Sequence, residues 1–342
     1  MPELPEVQTV LETLRPRLTG LRIERVDVRL EKIVKSPGPQ QFAAQVHGRA
    51  IAGLKRLGKY LLLELEGGLL LVVHLGMTGR LIYTSAGEPS AGAPTVMQNG
   101  ASAGAPTVTP TGASAGAPTV TPTGAPTGVP PSGAPPSGAP AGAPPSGEST
   151  EARTDTPWDR HTHLVFYLSD GAELRYHDQR QFGAMDLMPV DRWEAFCSQK
   201  KLGPDALDPS LSCGLFQERM ERRKGPIKKL LLDQSLVAGI GNIYANEILW
   251  QARVHPERAA SSLDRQEVRR IHRAMRTVLS EAITHRGTTL RDYVDGEGHP
   301  GGFQERLAVH GREGRPCPRC GTAIVRLKVG GRSSFACPCC QH

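Results

Sequence analysis

Aromatic residues make up only 5% of this 342-residue chain, and no apolar run approaches the roughly 18 residues that would cross a bilayer. The longest, such as residues 69–73, suits a strand, so no membrane span is expected. The opening Met1-Pro2-Glu3-Leu4-Pro5-Glu6 lacks the basic and apolar regions of a secretory signal, and the chain is expected to be soluble and intracellular. Nothing between Pro89 and Gly147 carries a charge or an aromatic ring, and residues 86–147 hold 14 of the 29 prolines. Such a segment cannot bury enough apolar area to offset its conformational entropy, so residues 86–157 are expected to be disordered. Within it, a twelve-residue unit beginning at Gly100 recurs unchanged at Gly112. Two perfect copies resemble a duplicated linker and are too polar and proline-rich for a solenoid repeat. Cysteine is scarce outside one place: five of the seven fall in the last 26 residues. In a chain without an export signal, that clustering points to a metal site and away from disulfides.

The remaining residues, roughly 280, are enough for real cores. They carry most of the charge of the chain, which as a whole has 41 Lys and Arg against 34 Asp and Glu, for a net +7. That balance suits an anionic partner, although a solvated basic surface would produce it equally well. Val7, Val10, Leu11, Leu14 and Leu18 recur at helical spacing, with Pro5 at the first helical position and Gly20 as a stop. Strand patterns follow over 23–29, 49–54, 60–65, 69–74 and 81–84, and resume after the low-complexity tract over 163–168 and 173–177. Neither group has enough strands to close a core alone, which favours one β domain with an inserted loop over two separate domains. From about Trp193 the chain turns helical, with helices over 227–232 and 242–251. A long helix follows, with Asp264 as N-cap, Glu267 three residues on and Leu263 as the staple. Val268, Ile271, Met275, Val278 and Ala282 should form its buried face. Arg265, Arg269, Arg270, Arg273 and Arg276 should lie on a solvated one.

Three features carry chemistry. Cys317-Pro318-Arg319-Cys320 and Cys337-Pro338-Cys339-Cys340 give a C-x2-C-x16-C-x2-C spacing, which reads as one structural Zn2+ held by Cys317, Cys320, Cys337 and Cys340, with Cys339 a competitor for the last place. Between the pairs, 322–328 and 333–336 suit two strands joined at Gly330-Gly331, with Arg332 at the tip of the hairpin. Gly239-Ile240-Gly241-Asn242 feeds a helix N-terminus, where exposed N–H groups would accept a phosphate; a plain connection between helices is the equal alternative. Arg222, Arg223, Lys224, Lys228 and Lys229 just upstream favour nucleic acid. Finally, Pro2 follows Met1, and removal of the initiator would expose a secondary amine. An α-amine of pKa near 8 is about one part in ten neutral at pH 7, against about one in 2,500 for a lysine. It is therefore the better nucleophile towards an aldehydic or acetal carbon, with Glu3 and Glu6 available as acid and base.

Pro2-Glu3-Leu4-Pro5-Glu6-Val7 resembles the opening of bacterial formamidopyrimidine-DNA glycosylases. Gly58-Lys59-Tyr60-Leu61, His74-Leu75-Gly76-Met77-Thr78-Gly79 and Asp178-Gln179-Arg180-Gln181-Phe182-Gly183 are similar to motifs of that family. So are Leu232-Asp233-Gln234 with Gly241-Asn242-Ile243-Tyr244-Ala245, the Gly287-Thr288-Thr289-Leu290-Arg291-Asp292-Tyr293 stretch, and the terminal four-cysteine finger. The likeness covers the chain except residues 86–157. That tract and Cys339, where the family has a charged or polar residue, are departures, and neither touches a proposed catalytic position.

The resemblance implies an α+β multidomain fold. An N-terminal β-sandwich with a leading helix spans 1–192, a helical helix-two-turn-helix domain 193–306, and a β-hairpin zinc finger 307–342. It implies a bifunctional glycosylase and AP lyase acting on oxidised purines in double-stranded DNA. Pro2 would be the Schiff-base nucleophile, Glu3 the proton donor, Lys59 a participant in β-elimination and Arg332 an aid to δ-elimination. Glu6 would support acid–base steps. Met77, Arg180 and Phe182 would fill the space left by an extruded nucleotide. His74, His161, Arg223 or Lys224, Asn242 and Tyr244 would contact DNA, and residues 288–302 would cover the flipped lesion. A monomer in the bacterial cytoplasm and nucleoid, with no membrane partner, completes the expectation. The related endonuclease VIII, which prefers oxidised pyrimidines, is the nearest rival; Leu4, Val7 and the Met77, Arg180 and Phe182 set favour the purine enzyme. A non-catalytic zinc-finger DNA-binding protein is the rival from another class, and it would not need Pro2, Glu3 and Lys59 together.

Overall fold

Period-2 patterning in the first half and period-3.6 patterning in the second give two differently built halves joined by the N-terminal helix. The computed structural model describes residues 2–86, 159–221 and 223–342. The tract expected to be disordered lies outside the described residues. In chain order the first half comprises α1 (Leu4–Leu18), β1 (Ile23–Val28), β2 (Val34–Ser36), α2 (Pro39–Val46), β3 (Ile51–Leu57), β4 (Tyr60–Leu65), β5 (Leu69–His74), β6 (Gly79–Thr84), β7 (Thr162–Leu168), β8 (Glu173–Asp178) and β9 (Ala184–Pro189). They form a four-stranded sheet of order β1-β7-β8-β6 and a five-stranded sheet of order β2-β9-β5-β4-β3. Strands from before and after the low-complexity tract thus share both sheets, as a single β domain requires. Leu61, Leu63, Leu71 and Val73 of one sheet and Leu164, Phe166, Leu174 and Tyr176 of the other share one buried cluster with Val7, Val10, Leu11 and Leu14 of α1. Helix α1 begins at Leu4, one residue before the expected start, with Pro5 inside its first turn, where the missing N–H costs nothing.

The second half contains α3 (Trp193–Gln199), α4 (Cys213–Glu221), α5 (Ile227–Leu231), α6 (Asn242–Ala252) and α7 (Arg265–Thr284). Leu4 of α1 is buried in this half's core, alongside Phe216, Ile240, Ile248 and Met275. The capping box of α7 is present: Glu267 N–H donates to Asp264 Oδ1 at 2.8 Å, and Asp264 N–H to Glu267 Oε2 at 2.9 Å. All five residues expected on its buried face are buried, together with Ala274 and Leu279. Two of its arginines are not merely solvated. Arg270 donates to the Ala252 carbonyl in the last turn of α6 at 3.0 Å, and Arg276 to the Asp208 carbonyl at 3.1 Å. The first caps a carbonyl left open at the end of α6, while the Asp208 carbonyl also accepts from Leu211 N–H at 3.1 Å. The finger follows as β10 (Val325–Val329) and β11 (Arg332–Ala336), in which Gly330 and Gly331 both take positive φ to close the hairpin.

Candidate active site

The N-terminal segment runs into the turn that precedes α6. Leu4 N–H donates to the Gly239 carbonyl at 3.0 Å, and the side chain of Glu3 lies over the helix N-terminus. Its carboxylate accepts N–H bonds from Gly241 at 2.7 Å, Ile243 at 2.9 Å and Tyr244 at 3.4 Å. The orphan donors and positive end of α6 are therefore taken up by a side chain of the chain itself. Of the two readings of the Gly239–Asn242 turn, the structure does not support the phosphate cradle: the anion it holds is Glu3. The glycines are needed for room, because a Cβ on Gly241 would lie 2.2 Å from Glu3 Cδ, and one on Gly239 would lie 2.5 Å from Leu4 Cδ1.

Glu6, one helical turn on, is also buried. Its carboxylate accepts from Glu3 N–H at 2.8 Å, from Thr288 N–H at 2.7 Å and from the Tyr244 hydroxyl. Burial, reinforced by the charge of Glu3, raises its pKa to about 7 against the pull of those three donors. A carboxyl that titrates at neutrality suits an acid–base role. Lys59 sits in the two-residue turn between β3 and β4 and is only 8% exposed. Burial lowers its pKa; the charges of Glu3 and Glu6 oppose that shift, and Arg332 adds to it. The charges of Glu3, Glu6, Lys59 and Arg332 thus act on one another across the β-sandwich, α1 and the finger. Pro2 is buried and lines a cavity of about 700 Å³ with Met77, Thr78, Arg180, Leu290 and Asp292.

Met77, which lines the cavity, is 38% exposed and Phe182 58%, unusual for large apolar side chains, and the guanidinium of Arg180 in the cavity wall lies 4.8 Å from the Phe182 ring centroid. A buried network absent from the sequence reading fixes this loop. Asp178 is fully buried and accepts from Thr78 Oγ1 at 2.6 Å, Gly183 N–H at 2.8 Å and Tyr176 Oη at 3.1 Å, while Thr78 Oγ1 accepts from Arg180 N–H at 2.9 Å. His74 Nδ1 accepts from Gly76 N–H at 3.2 Å, which leaves Nε2–H as a donor. Burial, with the charges of Lys59 and Lys200, lowers its pKa to about 4, so the ring is neutral. His161 is half-buried and lies edge-on to His177.

The remaining expected contacts divide. Arg223 is committed to Asp233 at 2.7 Å and Ser235 at 3.0 Å, whereas Lys224 is exposed, so Lys224 is the better placed of the two for an incoming anion. Tyr244 is corrected as a DNA contact: it is fully buried, and its hydroxyl is engaged by Glu6 and Thr288. Asn242 is half-buried, and its Nδ2 donates to the Ser333 carbonyl of the finger at 3.1 Å. Lys228, read as part of a basic surface, is fully buried and donates to the Ser333 carbonyl and Ser334 Oγ at 3.0 and 2.6 Å. Burial lowers its pKa to about 8. These two residues anchor the hairpin that carries Arg332, a role that no local pattern announces. Arg332, Lys224 and Lys229 line a cavity of about 330 Å³ between that hairpin and the helical half.

The sulfur atoms of Cys317, Cys320, Cys337 and Cys340 all lie within 4.8 Å of one another. Cys339 is exposed and outside the cluster, which resolves the competition in favour of Cys340. Four thiolates close a tetrahedral shell and leave no place for a reactive water, so the zinc is structural.

Family profiles match three successive parts of the chain: the formamidopyrimidine-DNA glycosylase N-terminal domain over residues 1–185, the H2TH domain of the same enzymes over 202–294, and a zinc finger found in FPG and IleRS over 314–342. A formamidopyrimidine-DNA glycosylase of Heliobacterium modesticaldum is 42% identical over 341 residues, covering 100% of both chains. Among solved structures, a point mutant of Lactococcus lactis FPG in complex with a Fapy-dG containing DNA is similar with a TM-score of 0.76 and 29% identity over 100% of both chains. Lactococcus lactis Fpg in complex with an abasic site containing DNA is similar with the same TM-score and 28% identity over 99% of both.

Proposed function

The chain belongs to the formamidopyrimidine-DNA glycosylase family, and we propose that it is a bifunctional DNA glycosylase and AP lyase of base excision repair that removes oxidised purines such as 8-oxoguanine and formamidopyrimidines. The observation that carries this reading is the seating of the N-terminus: Glu3 is locked on the α6 N-terminus beside Lys59, with Pro2 facing the large cavity. The damaged nucleotide would occupy that cavity, and Met77, Arg180 and Phe182 would fill the gap it leaves in the duplex.

In the proposed reaction the Pro2 nitrogen bonds to C1′ of the damaged nucleotide as the glycosidic bond breaks. The departing base keeps the electron pair and gains a proton; Glu3 supplies the proton that opens the sugar, leaving an iminium. Loss of a C2′ proton then expels the 3′-phosphate, with Lys59 assisting. A further proton loss expels the 5′-phosphate, with Arg332 gripping phosphate. Water hydrolyses the remaining iminium and frees the amine. Glu6, poised near pH 7, exchanges protons between steps. The chain divides in this reading into 1–192 as the catalytic β domain, 193–306 as the helical DNA-binding domain and 307–342 as the finger. It acts as a monomer on damaged double-stranded DNA.

The test is single-turnover cleavage of duplexes carrying 8-oxoguanine, a formamidopyrimidine or an oxidised pyrimidine. Faster release of the purine lesions, with phosphate left at both ends of the gap, is expected. A preference for oxidised pyrimidines would move the chain's activity towards endonuclease VIII, and binding without cleavage would reduce it to a DNA-binding protein.

A further inference from the structure

The cavity that Pro2 faces is bounded on one side by the loop that follows α7, and that loop is tied down unevenly. At its start, Thr288 N–H is held by Glu6, and Thr289 Oγ1 bridges the Tyr293 carbonyl and Gly301 N–H at 2.9 and 2.8 Å. At its far side, Asp295 is fully buried and binds Arg286 and the N–H groups of Glu297 and His299; Gly296 is fixed to Thr13 Oγ1 at 3.0 Å and to Tyr83 N–H at 2.8 Å. Of the loop residues that line the cavity, Tyr293 is tied through its carbonyl and its hydroxyl, whereas Leu290, Arg291 and Asp292 have no hydrogen bond among the described residues. Among the described residues, their one ion pair is Arg80 Nη2 to Asp292 Oδ1 at 4.0 Å.

Arg80 is an odd residue for its place. It lies on β6 opposite His177 of β8, its side chain is only 13% exposed, and its buried Nε has no hydrogen-bond partner among the described residues. A guanidinium left so poorly matched costs stability, and an apolar side chain would serve the strand better. The other acid facing it, Asp159, sits 3.1 Å from His177 Nδ1. Asp292 is thus the counter-charge that joins this arginine to the loop tip.

We propose that Arg80 is a positioning residue that holds the loop tip over the cavity, and so governs release of the damaged base without governing strand cleavage. This inference rests on the function proposed above. A loop tip at the cavity faces the extruded base, whereas the groups proposed to act on the sugar are fixed by α1, α6 and the β3–β4 turn. An abasic site presents no base to cover, so its cleavage does not need the tip in place.

The experiment compares the full-length parent with Arg80→Met, which keeps bulk and removes charge, on two duplexes: one with 8-oxoguanine and one with a preformed abasic site. Expected for Arg80→Met is a fall of about tenfold or more in single-turnover base release, with abasic cleavage within about threefold of the parent. Asp292→Asn should slow base release similarly, and the double variant should be no slower than either single one, because the two residues act through one contact. Equal losses on both duplexes would reduce Arg80 to a fold-stabilising residue and overturn the proposal. Unchanged base release would overturn it too. A parent that releases no purine lesion would instead contradict the proposed function, so the two failures are told apart.

Discussion

Glu6 joins three elements through one carboxylate, and its raised pKa makes a stability prediction. A carboxyl of pKa about 7 in the folded chain and about 4.5 when unfolded binds an extra proton between those values. The stability it contributes is fully present below about pH 4.5 and lost as pH rises through about 7. Glu6→Gln has no such titration. Relative to that variant, the parent should lose on the order of 3 kcal/mol between pH 4.5 and 8, read from chemical denaturation at a series of pH values. A gap between the two proteins that stays constant with pH would contradict the burial argument. Pro2, Glu3 and Glu6 stood out as a group only through the likeness of the opening Pro2–Val7 stretch to the family, since a Met-Pro start followed by carboxylates is by itself uninformative. The partners of Glu6 were not legible, because Tyr244 and Thr288 lie more than 230 residues away and nothing local marks them.

Two elements, the N-terminus of α6 and the finger, test how the site is mounted. Gly241 has an ordinary backbone conformation, so its glycine is required only by the closeness of Glu3. Gly241→Ala should push the Glu3 carboxylate off the helix end, costing about 1–3 kcal/mol of stability and at least tenfold in lesion excision at pH 7. A variant that excises at the parental rate would show that the seat is dispensable. In the finger, Cys317→Ser or Cys337→Ser should release zinc, which contributes on the order of 10 kcal/mol to such modules, and weaken DNA binding through Arg332. Cys339→Ser should keep stoichiometric zinc by metal analysis, since its thiol lies outside the cluster. The finger was readable almost entirely from cysteine spacing, which is a local signal. The α6 turn stayed open between two readings for the complementary reason: a glycine turn before a helix advertises an anion site, but only the tertiary fold says which anion, here Glu3, fills it.

Across the whole molecule, the low-complexity tract joins β6 to β7, which lie on opposite sides of β8 and run parallel to each other. The connection must therefore return the length of a strand, roughly 20 Å for six residues. Residues 85–88 and 148–161 with a short Gly/Ser bridge still reach that far, so deleting 89–147 should leave excision and lyase rates within about twofold and cost little stability. The segment removed has no charge to grip phosphate, no aromatic to stack on a base and no titratable group. A drop beyond tenfold at either of two salt concentrations would mean that it contacts DNA or the β domain. The passage from strands to helices was visible in the changing hydrophobic period, and the finger after them in the cysteine spacing. The contacts that bind them into one site, from Glu3 to α6 and from Lys228 and Asn242 to the finger, join residues about 90 to 240 positions apart and leave no periodic trace. The central claim is that the amine of Pro2 is the nucleophile. Borohydride reduction during reaction with an 8-oxoguanine duplex tests it most directly, with mass spectrometry to locate the link. A covalent adduct on the Pro2 nitrogen is expected, and it should disappear when Met1 is retained, which turns that nitrogen into a non-nucleophilic amide, while duplex binding stays within about tenfold. An adduct on Lys59, or undiminished trapping by the Met1-retaining protein, would contradict the claim.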